Sequence, residues 1–364
     1  MEIKKYQYID ILKGIAVLGV IAVHSHQSIP NLNLSVKYAF NYGQLGVQLF
    51  FMLSAITLCI SSQKRHEQVW QYFYMRRFFR IAPLYYFGIV LYLLTGSFFI
   101  YQFKGEWEIP NQYTPLNILA NITFLNGFYA PANNNIVPGG WSIATEMNFY
   151  LIFPILFCFQ KNKSFKSVLI YAILLIIGCF LIELALKVRP DIDVFIYCNI
   201  VNQLSVFLIG ICTYRLLYTA VPGWRALCVA FFLMIVSCIL FNQAFKPGFH
   251  TFIVPILSSI AFSIFILWLS KRRDFNGIFW CILEKFGLVS FSMYLLHFLV
   301  LDCVRIAINY VIGNKVHILP EALLLATYGF TVLLTYYLAL VSYKIIEQPG
   351  IKLGEKLIIS LAPK

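Results

Sequence analysis

Charge is scarce in this chain. Only 12% of its 364 residues are Asp, Glu, Lys or Arg, and 60% are hydrophobic. A soluble domain carries about 25% charged residues, so the deficit excludes a soluble globular protein and implies an integral membrane one. Acid is scarcer than base: 15 Asp and Glu stand against 28 Lys and Arg, a formal net charge of +13. In a soluble protein that excess would suggest nucleic acid. Here the basic residues fall between apolar runs, where they set orientation in a membrane, and no nucleic-acid partner is expected. Paired cysteines are lacking as well. The nine cysteines are scattered singly, mostly inside apolar runs (Cys59, Cys158, Cys179, Cys212, Cys228, Cys238), and none has metal-ligand spacing. Neither a disulfide framework nor a metal site is expected. A convincing signal peptide is also missing, because the first apolar run holds Asp10 and Lys13 and is followed by no small-x-small cleavage site.

What is present is a series of apolar runs of spanning length. Ten can be read, at roughly 9–27, 43–62, 80–103, 141–159, 166–187, 195–215, 225–243, 250–270, 287–309 and 321–343. The expected fold is all-α, a polytopic bundle of about ten transmembrane helices. Of the 28 Lys and Arg, 20 fall on the side of the N-terminus, 7 on the other, and Lys13 within the first span. This bias places both termini in the cytoplasm. Residues 1–346 form the expected membrane domain and 347–364 a short basic cytoplasmic tail, mildly amphipathic and suited to the inner membrane surface. No fused soluble domain is expected. The longest connection, 104–140, is rich in Asn, Pro and Gly and holds a weakly apolar piece, Leu116 to Phe128. It reads either as a solvated linker or as a cap on the outer mouth with a short interfacial helix.

Ionisable groups inside apolar runs mark function or internal pairing, since a charge at the bilayer centre costs a few kcal/mol or more. The first span carries Asp10, Lys13 and His24. A spacing of eleven residues returns to nearly the same helix face about 16 Å further along, so Lys13 and His24 share a face. His24 is either a catalytic base or an interfacial residue, as His26 beside it is read. Arg77 and Arg80 open the third span at i, i+3. They are either positive-inside anchors or a clamp for an anionic donor such as coenzyme A or a nucleotide. The fourth span opens with Trp141, Ser142 and Glu146. Ser142 is placed to cap the helix, while Glu146 is placed to orient His24, to hold a substrate hydroxyl or to pair with a cation. His297, mid-span in the ninth run with Ser290, Ser292 and Tyr294 nearby, reads first as a packing residue.

Taken together these residues resemble the acyltransferase 3 family, membrane-bound acyltransferases that modify surface glycans and other extracytoplasmic acceptors. The resemblance runs from Tyr8 to about Leu357. It rests on Lys13 and His24 separated by ten residues, on Arg77-x-x-Arg80, on LFFMLSAITL with Ala55 where glycine is usual, and on WSIATEMNFYLIFP with Met147 where a second acidic residue is frequent. SFSMYLLH with His297 and YKIIEQPGIKLG with Glu347-Gln348-Pro349 complete it. Lys13 departs from the commoner arginine and loses the fork geometry of a guanidinium. The hydrolase-like domain fused to some larger relatives is not seen.

The resemblance implies an O-acyltransferase that moves an acetyl group from cytoplasmic acetyl-CoA to a hydroxyl of an extracytoplasmic or lipid-linked glycan, such as O-antigen lipopolysaccharide or exopolysaccharide, in a bacterial inner membrane. Acetyl-CoA would be a substrate, and no permanently bound cofactor is expected. Arg77 and Arg80 would hold donor phosphates, and Lys13 would neutralise donor charge or pair with Asp10. His24 would act as general base or acyl carrier, with Glu146 orienting it and Asp10, Trp141, Ser142 and His297 in support. The competing expectation is a transporter or flippase of a lipid-linked sugar, against which stands the lack of an obvious repeat between the two halves.

Overall fold

The structure is a computed structural model that describes residues 6–27, 29–65, 69–186, 193–241, 250–272, 274–312 and 319–361. The basic residues Lys4, Lys5, Lys187, Arg189, Lys246, Arg273, Lys315 and Lys364, used above for orientation, lie outside them. The described chain is helical throughout its regular structure: α1 Gln7–His26, α2 Leu34–Asn41, α3 Gly46–Lys64, α4 Trp70–Lys104, α5 Pro115–Ile122, α6 Gly140–Lys161, α7 Phe165–Leu186, α8 Asp193–Cys198, α9 Ile200–Leu216, α10 Trp224–Phe241, α11 His250–Leu269, α12 Ile278–Leu288, α13 Ser290–Ile312, α14 Pro320–Ser342 and α15 Gln348–Leu361. Among the described residues ten helical stretches are long and apolar enough to cross a membrane, and they coincide with the ten runs. An even number of crossings returns the chain to the side where it began. That side is called proximal below and the opposite one distal.

Three elements differ from expectation, each for a local reason. The third span begins at Trp70 rather than near residue 80, as a 35-residue helix. Its first turns, WQYFYMRR, mix aromatic and basic residues and so fall below an apolar threshold while remaining good helix. Arg77 and Arg80 are therefore inside a helix and not at its start. The ninth span is preceded by α12, which packs along α1. Gly14 and Gly287 allow this approach: a Cβ on Gly14 would collide with the Leu283 carbonyl, and one on Gly287 with the Asp10 carbonyl. Finally, the tenth span does not stop near 343. It runs through a π-helical turn, Tyr343–Glu347, into α15, which packs against α4. Pro83 inside α4 cannot donate to the Phe79 carbonyl one turn back, and Gly350 sits against both Pro83 and that carbonyl, with Gly354 on the Phe79 ring.

The distal connection folds into a cap. It contains α5, started by Thr114, whose hydroxyl accepts from the Asn117 N–H. Tyr85 donates to Asn121 Oδ1 at 2.8 Å, Tyr86 to the Ile122 carbonyl at 2.9 Å, and Phe124 stacks on both tyrosine rings. The cap ends at Gly139, whose φ of +77° turns the chain into α6.

Candidate active site

The bundle encloses a cavity of about 300 Å³. The proximal half of α1 contributes Asp10 and Lys13, α3 Ser54 and Thr57, α4 Arg77 and Arg80, α6 Ser142, Glu146 and Tyr150, α13 Ser290 and Tyr294, and the π turn Tyr343 and Glu347. Three cations and three carboxylates thus face one space. Lys13 Nζ lies 3.3 Å from Asp10 Oδ1. Glu146 Oε1 accepts two short hydrogen bonds, from Ser54 at 2.5 Å and from Tyr150 at 2.6 Å. Glu347, 4% exposed, accepts from Ser292 at 3.0 Å. Arg77 is buried, bonded to Ser61 at 3.3 Å and set over the Phe73 and Tyr150 rings. Arg80 is different: among the described residues it has neither a carboxylate within 4.0 Å nor a hydrogen-bond partner. A guanidinium placed so is open to an incoming anion.

His24 does not line this cavity. It lies at the distal end of α1, its ring 5.3 Å from the His297 ring and 4.3 Å from Phe298, with Nδ1 3.2 Å from Gln27 Oε1. Lys13 and His24 do turn the same way, since the cavity beside Lys13 is walled by Ser290 and Tyr294 and His24 meets the next turns of the same helix. The link between the two regions is Tyr294. Its hydroxyl is 2.7 Å from Ser142 Oγ and 3.1 Å from the Gly139 carbonyl, and its ring is 5.8 Å from His297.

Several assigned roles change. Glu146 is bonded to Ser54 and Tyr150, while His24 has Gln27, His297 and Phe298 around it. Glu146 is therefore not the group that orients His24. It shares a cavity with the arginines instead. Ser142 does not cap α6: the helix opens at Gly140, and the Ser142 hydroxyl lies 3.0 Å from the Gly139 carbonyl. Trp141 packs on Phe51 and Tyr197, outside the cavity lining. His26, read as interfacial, is buried. Sequence reading passed over Ser54 and Tyr150, and placed Glu347 in a tail. Tyr150 was findable, being i+4 from Glu146 and so on the same helix face.

A family model described as an acyltransferase domain matches residues 6–343, nearly the whole chain. The chain belongs to the acyltransferase 3 family. Among its curated relatives, the peptidoglycan O-acetyltransferase OatA of Listeria monocytogenes is 32% identical over 157 residues, 40% of this chain and 23% of that protein. The O-acetyltransferase OatA of Staphylococcus aureus is 24% identical over an alignment of 392 positions, covering 98% of this chain and 59% of that protein. The acyltransferase MdmB of Streptomyces mycarofaciens is 26% identical over 156 residues, 40% of this chain and 37% of that protein. The chain thus spans less than two thirds of the length of each of these relatives. No solved structure matches it. Family membership and the ten helical stretches of spanning length among the described residues describe a multi-pass membrane member of that family.

Proposed function

We propose that the protein transfers an acetyl group from cytoplasmic acetyl-CoA to a hydroxyl of an extracytoplasmic or lipid-linked glycan. The observation that carries this is Arg80, a guanidinium with no ion pair within 4.0 Å among the described residues, facing Glu146, Glu347 and Asp10 across a cavity that Tyr294 joins to the His24–His297 pair. The donor enters from the proximal side, which the excess of basic residues makes cytoplasmic, so both termini lie in the cytoplasm. Its phosphates meet Arg80 and Arg77, with Lys13 released from Asp10 to share their charge. The flexible thioester arm extends past Ser142 and Tyr294 toward His24. There the Nε2 lone pair of His24 takes the acceptor proton, since Nδ1 is turned to the Gln27 carbonyl oxygen. Glu146, Asp10 and Glu347 balance the cations while the cavity is empty, which limits the cost of three charges in a dry interior.

The relatives named O-acetyltransferases support acetyl as the group moved. One is named for peptidoglycan, which makes a cell-wall sugar an acceptor to assay beside O-antigen and exopolysaccharide. The test is mass spectrometry of surface glycan from cells with the wild type, with His24→Ala and without the protein. The expected result is an alkali-labile increment of about 42 Da per modified unit with the wild type alone, His24→Ala losing at least the 10²–10⁴-fold typical of a general base. An ester that persists at wild-type level with His24→Ala overturns the role of His24. Altered glycan export with no ester in any strain overturns the reaction.

A further inference from the structure

We propose that His297 is the positioning residue for His24: its Nε2 lone pair, unpartnered in the resting site, accepts from His24 Nε2–H once that ring has taken up the acceptor proton, the supporting role first expected of Glu146. The inference rests on the acyl-transfer reading above.

Four observations carry it. His297 is fully buried, where a polar atom without a partner is costly. Its Nδ1 lies 2.6 Å from the Tyr294 carbonyl, an acceptor only, so Nδ1 carries the hydrogen and Nε2 the lone pair. That Nε2 is buried with no hydrogen-bond partner among the described residues. The ring beside it belongs to His24, at 5.3 Å and tilted by 34°, and Phe298 flanks both rings at 4.3 and 4.1 Å. A packing histidine would have both ring nitrogens satisfied. This one also keeps a dry lone pair next to the base.

The chemistry calls for such a group. The acceptor oxygen bonds to the thioester carbonyl carbon, the hydroxyl proton passes to His24 Nε2, the C–S bond breaks, and the proton then leaves His24 for the departing thiolate. Nothing is oxidised or reduced. Between the two transfers His24 is a cation, and the fixed charges near it do not favour one. On α13, Arg305 donates to the His24 carbonyl at 3.0 Å and pairs with Asp302 at 3.1 Å. On α1, His26 lies two residues away, and on α13 Asp302 is already paired with Arg305. A neutral acceptor at His297 Nε2 steadies the imidazolium without adding a charge that would hold the proton too tightly.

Two substitutions separate this role from packing. In His297→Asn the amide nitrogen takes the place of Nδ1 and keeps the bond to Tyr294, but nothing stands at Nε2. In His297→Gln the amide reaches the Nε2 position. With both variants confirmed as folded by thermal melting, the proposal expects His297→Asn to lose about tenfold or more in kcat with KM for the donor unchanged, and His297→Gln to regain most of it. Full activity in His297→Asn with loss in His297→Gln overturns it. Nitrogen NMR of ¹⁵N-histidine-labelled protein in nanodiscs decides independently of turnover. The His24 and His297 signals of the wild type are expected to change together as the pH is lowered, and His297→Asn to change the His24 signals. His24 signals identical in the two proteins overturn the proposal. Signals that change together in a wild type that transfers no acyl group would instead count against the reaction.

Discussion

Among the described residues Arg80 lines the cavity with no hydrogen bond and no carboxylate within 4.0 Å, so an anion entering there breaks no direct contact of its guanidinium. Hydrogen bonds to charged groups contribute about 1.5–3 kcal/mol. Arg80→Ala is therefore expected to weaken coenzyme A binding by about 10–100-fold in calorimetric titration of the protein in nanodiscs, and Arg80→Lys to restore it only in part because the planar fork is lost. Unchanged affinity in Arg80→Ala would remove the arginine from the donor site. At this scale the ionisable residues were legible, because Lys13, His24, Arg77, Arg80, Glu146 and His297 each stand out in an apolar run. Their partners were not. Ser54 is an ordinary residue of a span, and only the fold shows that it closes on Glu146, whereas the i+4 spacing of Tyr150 was a usable signal that went unread. The pairing of Glu146 with His24 failed because a sequence gives the face of a helix more readily than the depth at which two helices meet.

The helices themselves were legible wherever hydrophobicity was continuous over spanning length. The short α12 was missed for want of length, at 11 residues, yet it forms the contact along α1 that holds Asp10 and Lys13 in place. Its glycine crossing makes an element-scale prediction. Gly287→Ala forces a Cβ into the Asp10 backbone and is expected to cost about 1–3 kcal/mol, the usual penalty of overpacking, seen as a lowered melting temperature. Gly178→Ala in α7, where a Cβ meets nothing within 4 Å, is the control and should melt no lower than the wild type. Equal melting of the two variants would contradict the close α1–α12 crossing. Helix α15 reads from its composition as a surface helix, and Gly350 and Gly354 seat it on α4 by a contact that no amphipathic pattern reports.

Over the whole molecule the arrangement is directional: arginines toward the proximal half, histidines at the distal end, and Tyr294 between them. The account requires donor and acceptor to be used from opposite faces. The most direct measurement reconstitutes the protein in one orientation in proteoliposomes, with radiolabelled acetyl-CoA on one face and a glycan acceptor on the other. The account predicts label on the glycan only when acetyl-CoA is on the proximal face, and none with either Arg80→Ala or His24→Ala at limiting donor. Labelling at equal rate with the donor on the His24 side would contradict it.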